Sequence, residues 1–264
     1  MNREKRISLN ALPNYGNWIR RKKIYTFWGI GIFSLLLGLI PTYLLIRVIF
    51  IVSAVIFLGL GSYLSYVAYQ FSTKGGGYQE KLWQDVLEHL DWDGKGRALD
   101  IGTGNGPLAI RLAKKYPEAQ VTGIDYWGDD WEYSQQVCEK NAAIEGVAER
   151  TKFEKASASE LPFSDEQFDA VLSHFVFHEV ADATDKRNVI KEALRVLKKG
   201  GAFSFQDMFL DEKLYGKRDD LLKAIQDWGV QEVQFLDSHQ ILSIPRLLNT
   251  SRTLGNCSLI YGRK

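Results

Sequence analysis

Apolar and polar positions divide the chain into two unlike stretches. From Ile24 to Phe71 nearly every residue is apolar or small, and Arg47 is the only charged side chain. From Tyr78 onward, short apolar runs alternate with segments of helical spacing. A helix rises 1.5 Å per residue, so one helix over the first stretch would be about 70 Å long, against a hydrocarbon core about 30 Å thick. The stretch therefore folds back. Pro41, Thr42 and Arg47 bracket the expected turn, which places two transmembrane helices near Ile24–Leu44 and Val48–Phe71. Ser34-xxx-Gly38 and Gly61-xxx-Ser65 are small-residue spacings that let such helices approach closely. A cleaved signal peptide has an apolar stretch of only about 7–15 residues. A hairpin buried in a globular core fits poorly with so long a nearly charge-free run.

The second stretch opens with Ser72–Gly77, a Gly-rich linker by composition, and Tyr78–Leu90, an amphipathic helix free to cover a ligand or to lie in a membrane interface. Strand-like runs follow at Arg97–Ile101, Gln120–Asp125, Lys152–Glu154, Phe168–Ser173 and Ala202–Asp207. Helical spacing fills Pro107–Tyr116, Trp131–Glu145 and Asp185–Lys198, with Pro107 suited to a first turn and Gly146 and Gly200 to helix ends. Such alternation predicts an α/β fold, a parallel sheet with helices on both faces. Toward the end, Lys217–Trp228 reads as a helix, and Val230–Leu236 and Ser258–Gly262 read as strands with no long helix between them. The last strand is expected to be antiparallel.

Charge orients the two stretches. Residues 1–23 carry seven Lys/Arg and one Glu, whereas the part from Gly75 onward carries 24 basic and 31 acidic residues. The basic residues beside the first crossing place the N-terminal side in the cytoplasm, and a second crossing returns the chain there. Both termini and the domain at 78–264 are then expected to be cytoplasmic, in an integral membrane protein. Tyr25 and Trp28, with Tyr63, Tyr66 and Tyr69, would sit at that interface. The acidic domain argues against a nucleic-acid partner, because phosphate backbones require clustered Lys/Arg. Cys138 and Cys257 lack metal or disulfide spacing and read as reduced core residues, and no metal site is expected.

The chemistry gathers at "LDIGTGNG", Leu99–Gly106, between the first strand and the first helix of the domain. Glycines there permit a sharp turn and close approach of a ligand to the backbone. A dinucleotide fingerprint requires a third glycine where this chain has Pro107. Asp100 just before the loop suits an ammonium or sulfonium group better than a pyrophosphate. Asp125, closing the second strand, is placed to accept hydrogen bonds from ribose hydroxyls.

These residues resemble the class I S-adenosylmethionine (SAM)-dependent methyltransferases, and the resemblance runs over Leu82–Lys264. It rests on "LDIGTGNG", "VTGIDY", "ASASELPFSDEQFDAVLSHFVFHEV", "EALRVLKKGG" and "CSLIYGRK". The texture is similar to the branch of small-molecule and quinone C-methyltransferases. It implies a Rossmann-like, mostly parallel sheet with an antiparallel last strand, here preceded by two transmembrane helices, and SAM as cofactor. Asp100 and the loop residues Gly102, Thr103, Gly104, Asn105 and Gly106 would hold its methionine end. Asp125 would hold the ribose, with Tyr126 and Trp127 near the adenine and Ser157 and Ala158 at the adenine edge. Where many relatives carry Asp, this chain has Ser157. Ser173 and His174 would lie near the transferred methyl group.

Methyl transfer needs alignment above all, and a base only where the acceptor must lose a proton. His174 and His178 are the candidates. Each has a second reading: His174 as a core residue, His178 as a loop cap. Trp127, Trp131 and Tyr133 suit either an apolar acceptor pocket or the buried face of the next helix. Three functions remain open on the sequence: a membrane-anchored methyltransferase of a small, lipid-soluble or soluble acceptor, a SAM-binding sensor without turnover, and a nicotinamide-dependent reductase. Pro107 and Asp100 disfavour the last.

Overall fold

The computed structural model describes residues 11–40, 43–128, 132–251 and 253–264. The chain forms two compact units, Asn17–Leu82 and a second that joins Trp83–Lys264 to the segment ending at Gly16.

The first unit is a hairpin of α1 (Arg21–Leu39) and α2 (Leu44–Phe71), both long and apolar enough to cross a membrane. Its turn comes earlier than the sequence suggests, since α1 ends at Leu39 rather than Leu44 and α2 begins at Leu44 rather than Val48. Ile40 is already extended (ψ 133°), the conformation favoured ahead of Pro41. Arg47, expected in the turn, lies in α2, and its Nε donates to Gly38 O (3.4 Å), a carbonyl in the last turn of α1. Pro41, Thr42 and the basic residues of 1–10 lie outside the described residues. The helices bury their small residues, Gly31, Ser34 and Gly38 in α1 and Ala54 and Gly61 in α2. Ser34 and Ser53 hydroxyls meet at 3.1 Å, and Trp28 Nε1 donates to Ser65 Oγ (3.2 Å). The large apolar side chains, such as Phe33, Leu36, Val55 and Ile56, face outward and are exposed. The segment 72–77 is a closed turn rather than an open linker, because the N–H groups of Gly75 and Gly77 both donate to Ser72 O. Gly75 makes this possible: a Cβ there would lie 2.0 Å from Tyr69 O.

From α3 (Tyr78–Glu88) the chain continues through β1 (Gly96–Ile101), α4 (Pro107–Lys115), β2 (Ala119–Asp125), α5 (Gln135–Ile144) and β3 (Thr151–Lys155). It goes on through β4 (Phe168–His174), α6 (Arg187–Arg195), β5 (Leu197–Asp207), α7 (Glu212–Tyr215), α8 (Arg218–Asp227), β6 (Glu232–Asp237) and β7 (Ser258–Arg263). The strands form one sheet in the order β3-β2-β1-β4-β5-β7-β6. β1 to β5 run parallel, and β7 runs antiparallel to both β5 and β6. The antiparallel last strand is as expected.

Alternate residues of the central strands enter opposite layers. Ala98, Val121, Ala170, Leu172 and Ala202 pack with Trp83, Val86 and Leu87 of α3 and with α4 and α5. Leu99, Ile101, Val171, Phe203 and Phe205 pack under α6 and α8. Trp83, Val86 and Leu87 of α3 thus belong to the core, not to a membrane interface. Several boundaries differ from the sequence reading, among them the start of α5 and the place of Gly200. α5 starts after Ser134, whose hydroxyl accepts from Val137 N, rather than at Trp131. Gly200 lies inside β5 instead of ending a helix, because its left-handed φ (75°) carries a bulge between the Phe168–Leu197 and Ala170–Ala202 pairs. Gly146 does end α5, with the paired bonds Val147 N to Ala142 O and Gly146 N to Ala143 O.

The hairpin packing generates a test. A Cβ at Gly31 would lie 2.9 Å from Leu58 N, whereas Gly29 has nothing within 4 Å. Gly31→Val is expected to destabilise the hairpin by about 1–3 kcal/mol, with Gly29→Ala neutral or stabilising. Thermal unfolding of the detergent-solubilised chain reads the difference, and equal behaviour of the two variants would refute this packing.

Candidate active site

The loop after β1 climbs through three left-handed glycines, Gly102 (φ 73°), Gly104 (φ 58°) and Gly106 (φ 82°). At Gly102 the requirement is also steric, since a Cβ would lie 2.0 Å from Val176. Gly106 then leads into Pro107 at the first turn of α4. Asp100, fully buried at the end of β1, holds the loop from beneath. Its Oδ2 accepts from Thr103 Oγ1 (2.6 Å) and Ala109 N (3.1 Å). Burial pushes its carboxyl up to about 7, against the pull of these two hydrogen bonds and with help from the Asp125 charge.

Asp125 ends β2 beside the loop. Its Oδ2 accepts from Gly104 N (2.8 Å) and its Oδ1 from Trp127 N (2.8 Å), while burial raises its pKa. Trp127 takes an unusual positive φ (42°) and returns Nε1–H to Gly104 O (2.8 Å), which also accepts from Cys138 Sγ. Trp127 thus packs against the core and closes the loop, while Tyr126 is exposed with Lys155 over its ring. Asn105 is buried. Its carbonyl accepts from Asn141 Nδ2 (2.9 Å) and its side-chain oxygen from Ser134 N. Tyr133 lies beside Gly104, and Trp131 lies outside the described residues. Cys138 and Cys257 are free and buried.

Beyond β3, Ala158 is buried and Ser157 is partly exposed. Ser157 Oγ lies 3.0 Å from Asp182 Oδ2, which also accepts from Ser159 Oγ (2.6 Å). Asp182 thus brings a carboxylate beside Ser157. The Ser159 hydrogen bond, joined by that of Ser157, holds the Asp182 pKa low.

The alternation of β4 separates the candidates near the sheet's mouth. Ser173 Oγ donates to Ile101 O (3.1 Å), tying β4 to the residue before the glycines. His174 is buried, on the parity of Ala170 and Leu172, and burial pushes its imidazole down to about 3. It is a neutral group. His178 follows in a single 3-10 turn, and its Nδ1 meets Asp207 Oδ1 at 2.6 Å, with Nε2 3.4 Å from Glu179 Oε1. Burial opposes its charge, but Asp207, joined by Glu179, outweighs burial and pushes the imidazole up to about 10. At neutral pH His178 is a cation held by a carboxylate.

A family model described as a methyltransferase domain matches residues 93–244. The chain belongs to this family. It is a SAM-dependent methyltransferase domain of the class I, Rossmann-like fold. The ubiquinone/menaquinone biosynthesis C-methyltransferase UbiE of Geotalea daltonii is 35% identical over a match covering 44% of this chain and 47% of the relative. The 27-O-demethylrifamycin SV methyltransferase of Amycolatopsis mediterranei is 31% identical, over 61% of this chain and 65% of the relative. The chain thus spans about half to two thirds of the length of these curated relatives. Among solved structures, geranyl diphosphate C-methyltransferase from Streptomyces coelicolor, in complex with Mg2+, geranyl diphosphate and S-adenosyl-L-homocysteine, shares the fold. Its TM-score is 0.52 at 14% identity, covering 70% of this chain and 79% of that one.

The loop of this methyltransferase domain fits a cationic nucleoside cofactor. Two carboxylates, Asp100 and Asp125, flank it, and none of residues 102–106 is basic. Asp125 Oδ2 accepts from Gly104 N and Oδ1 from Trp127 N, where a carboxylate can accept about four hydrogen bonds in all. Sequence reasoning missed Asp207, although an acid at the C-terminal end of a central strand was the signal already used for Asp100 and Asp125. Asp182 and Asn141 carried no such signal, because their partners are distant in the chain.

The His178–Asp207 pair predicts a pH dependence. The folded pKa of His178 lies above the ordinary value of about 6.5. The pair's contribution to stability is therefore complete below that pH and is lost as the pH rises through about 10. Denaturant midpoints measured across this range are expected to fall for the native protein. Asp207→Asn should remove that fall, and a variant that keeps the same slope would show that the pair is not the cause.

Proposed function

We propose that the chain is a membrane-anchored methyltransferase that moves the methyl group of SAM to a small, lipophilic acceptor. The observation that carries the reading is Asp125, placed at the end of β2 with its carboxylate bonded to the glycine loop at Gly104 N. When bound, SAM supplies an electrophilic methyl group on a sulfonium. In this reading Asp125 accepts from the ribose hydroxyls, Asp100 sets negative charge behind the methionine end, and the loop at 102–106 offers backbone to it. Tyr126 and Trp127 flank the adenine, and Ser157 and Ala158 meet its edge. Ser173 and His174 line the methyl side. His178, as a cation paired with Asp207, steadies negative charge on an acceptor oxygen rather than taking its proton.

The lipophilic acceptor is supported by the hairpin. Its helices expose large apolar side chains and bury small ones, the reverse of a helix in a soluble core. The curated relatives named for ubiquinone and menaquinone biosynthesis point the same way. The test uses membranes containing the full chain, supplied with methyl-labelled SAM. Label is expected in a lipid-extractable small molecule. Asp125→Ala should weaken SAM binding by about 1.5–3 kcal/mol, the range for hydrogen bonds to a charged group. Label confined to a water-soluble product would refute the lipophilic acceptor, and unchanged SAM affinity in a folded Asp125→Ala protein would remove Asp125 from the site.

We further place the methyltransferase domain and both flanks of the hairpin on the cytoplasmic side, following Arg20, Arg21, Lys22 and Lys23 and the supply of cofactor there. Because the native cysteines are buried, a cysteine introduced at exposed Lys95 reports alone. It is expected to resist impermeant thiol reagents in intact cells and to react after lysis. Labelling from outside intact cells would overturn this orientation.

A further inference from the structure

The segment 11–16 precedes the hairpin in sequence, yet it belongs to the unit that contains the sheet. Its contacts fall on the residues that carry the glycine loop. Asn14 N donates to Asn141 Oδ1 (2.8 Å), and Asn141 Nδ2 donates back to Asn14 O (3.0 Å). The same Nδ2 donates to Asn105 O (2.9 Å), so one buried amide grips this segment and the loop at once. Asn14 Oδ1 accepts from Gly16 N (3.1 Å), a turn that shapes the segment locally. At Gly16 (φ 73°) a Cβ would lie 2.8 Å from the Tyr133 ring, and at Gly104 a Cβ would lie 3.5 Å from the same ring. Tyr133 therefore lies between the segment and the loop. Tyr15 anchors the segment from the side, through Glu145 (3.3 Å) and an edge contact with Trp83.

We propose that the segment 11–16 is a positioning strap for the cofactor loop, fixing Asn105 through Asn141 and Gly104 through Tyr133. The proposal rests on the reading of that loop as the SAM site. Removing the strap leaves the buried Asn141 Oδ1 without the donor that orients it, and an amide free to turn no longer fixes the Asn105 carbonyl. Cofactor affinity then depends on residues that the hairpin separates, in sequence, from the rest of the domain.

The test uses the full chain and two strap variants, neither of which replaces a proposed ligand residue, although a Cβ at position 16 comes within 3.4 Å of Asn105 Nδ2. Asn14→Pro deletes the N–H that Asn141 accepts, and Gly16→Val drives a side chain toward Tyr133 in a left-handed backbone. Asn14→Asp keeps the backbone contacts and serves as the conservative control. Two readouts are taken: hydrogen exchange at the amides of residues 102–106 without cofactor, and the SAM dissociation constant. Both strap variants are expected to exchange faster and to bind SAM about three- to tenfold more weakly, the equivalent of one hydrogen bond, while Asn14→Asp matches the native chain. Native exchange and native affinity in both variants would overturn the strap. So would a lowered melting temperature with an unchanged SAM constant, since that marks a merely structural contact. A native chain that binds no SAM would sink the methyltransferase reading instead, and the exchange data would still decide whether the strap orders the loop.

Discussion

At the C-terminal ends of β1 and β2, three successive N–H groups are given to the neighbouring strand. Gly102 and Thr103 both donate to Ile124 O, and Gly104 donates to the Asp125 carboxylate, each at 2.8 Å. A strand that ended without partners would leave these groups to water or to a ligand. Here they fix the height and direction of the loop before any ligand arrives. The cost is a left-handed backbone at Gly102 and Gly104, which glycine adopts without strain. Trp127 completes the arrangement by returning Nε1–H to Gly104 O from a strained φ. Asp125 is therefore an internal brace for the loop.

The two units bury opposite kinds of side chain. In the sheet unit the largest side chains, such as Phe203, Phe205 and Tyr215, are the most deeply buried. In the hairpin the buried positions are mostly glycine, serine and alanine, and bulk points outward. Small residues at these positions let the two helices approach closely. Trp28 follows this logic by resting on Gly61 while its Nε1 finds Ser65.

These contrasts explain what the sequence could and could not disclose. The central strands were legible because they are apolar on both faces, and the glycine loop because its residue types admit few conformations. The start of α5 was obscured by Trp131 and Tyr133, whose spacing mimics a helical face, while the local signal was the hydroxyl of Ser134. Gly200 looked like a helix end because a left-handed glycine serves a stop and a bulge equally well. His174 and His178 are four residues apart in sequence, but the alternation of β4 and the turn after it gave them different fates. One is buried and neutral, the other is charged by an acid from β5. The segment 11–16 was illegible for a different reason. It has no periodicity, and its partner Asn141 lies 127 positions away.

That separation has a consequence for biogenesis. During synthesis Asn14 leaves the ribosome long before Asn141 is made. At about 5–20 residues per second the interval is roughly 6–25 s. In that time both apolar helices emerge and commit to their surroundings. The segment must then wait, tethered through residues 17–20 to α1, until α5 has folded far enough to receive it. The hairpin is thus an insertion into the domain's chain rather than an extension added to its front. The order of events, hairpin first and completed glycine loop last, is written into the connectivity. A ribosome that stalls before Asn141 leaves a chain whose hairpin is made and whose glycine loop is unbraced.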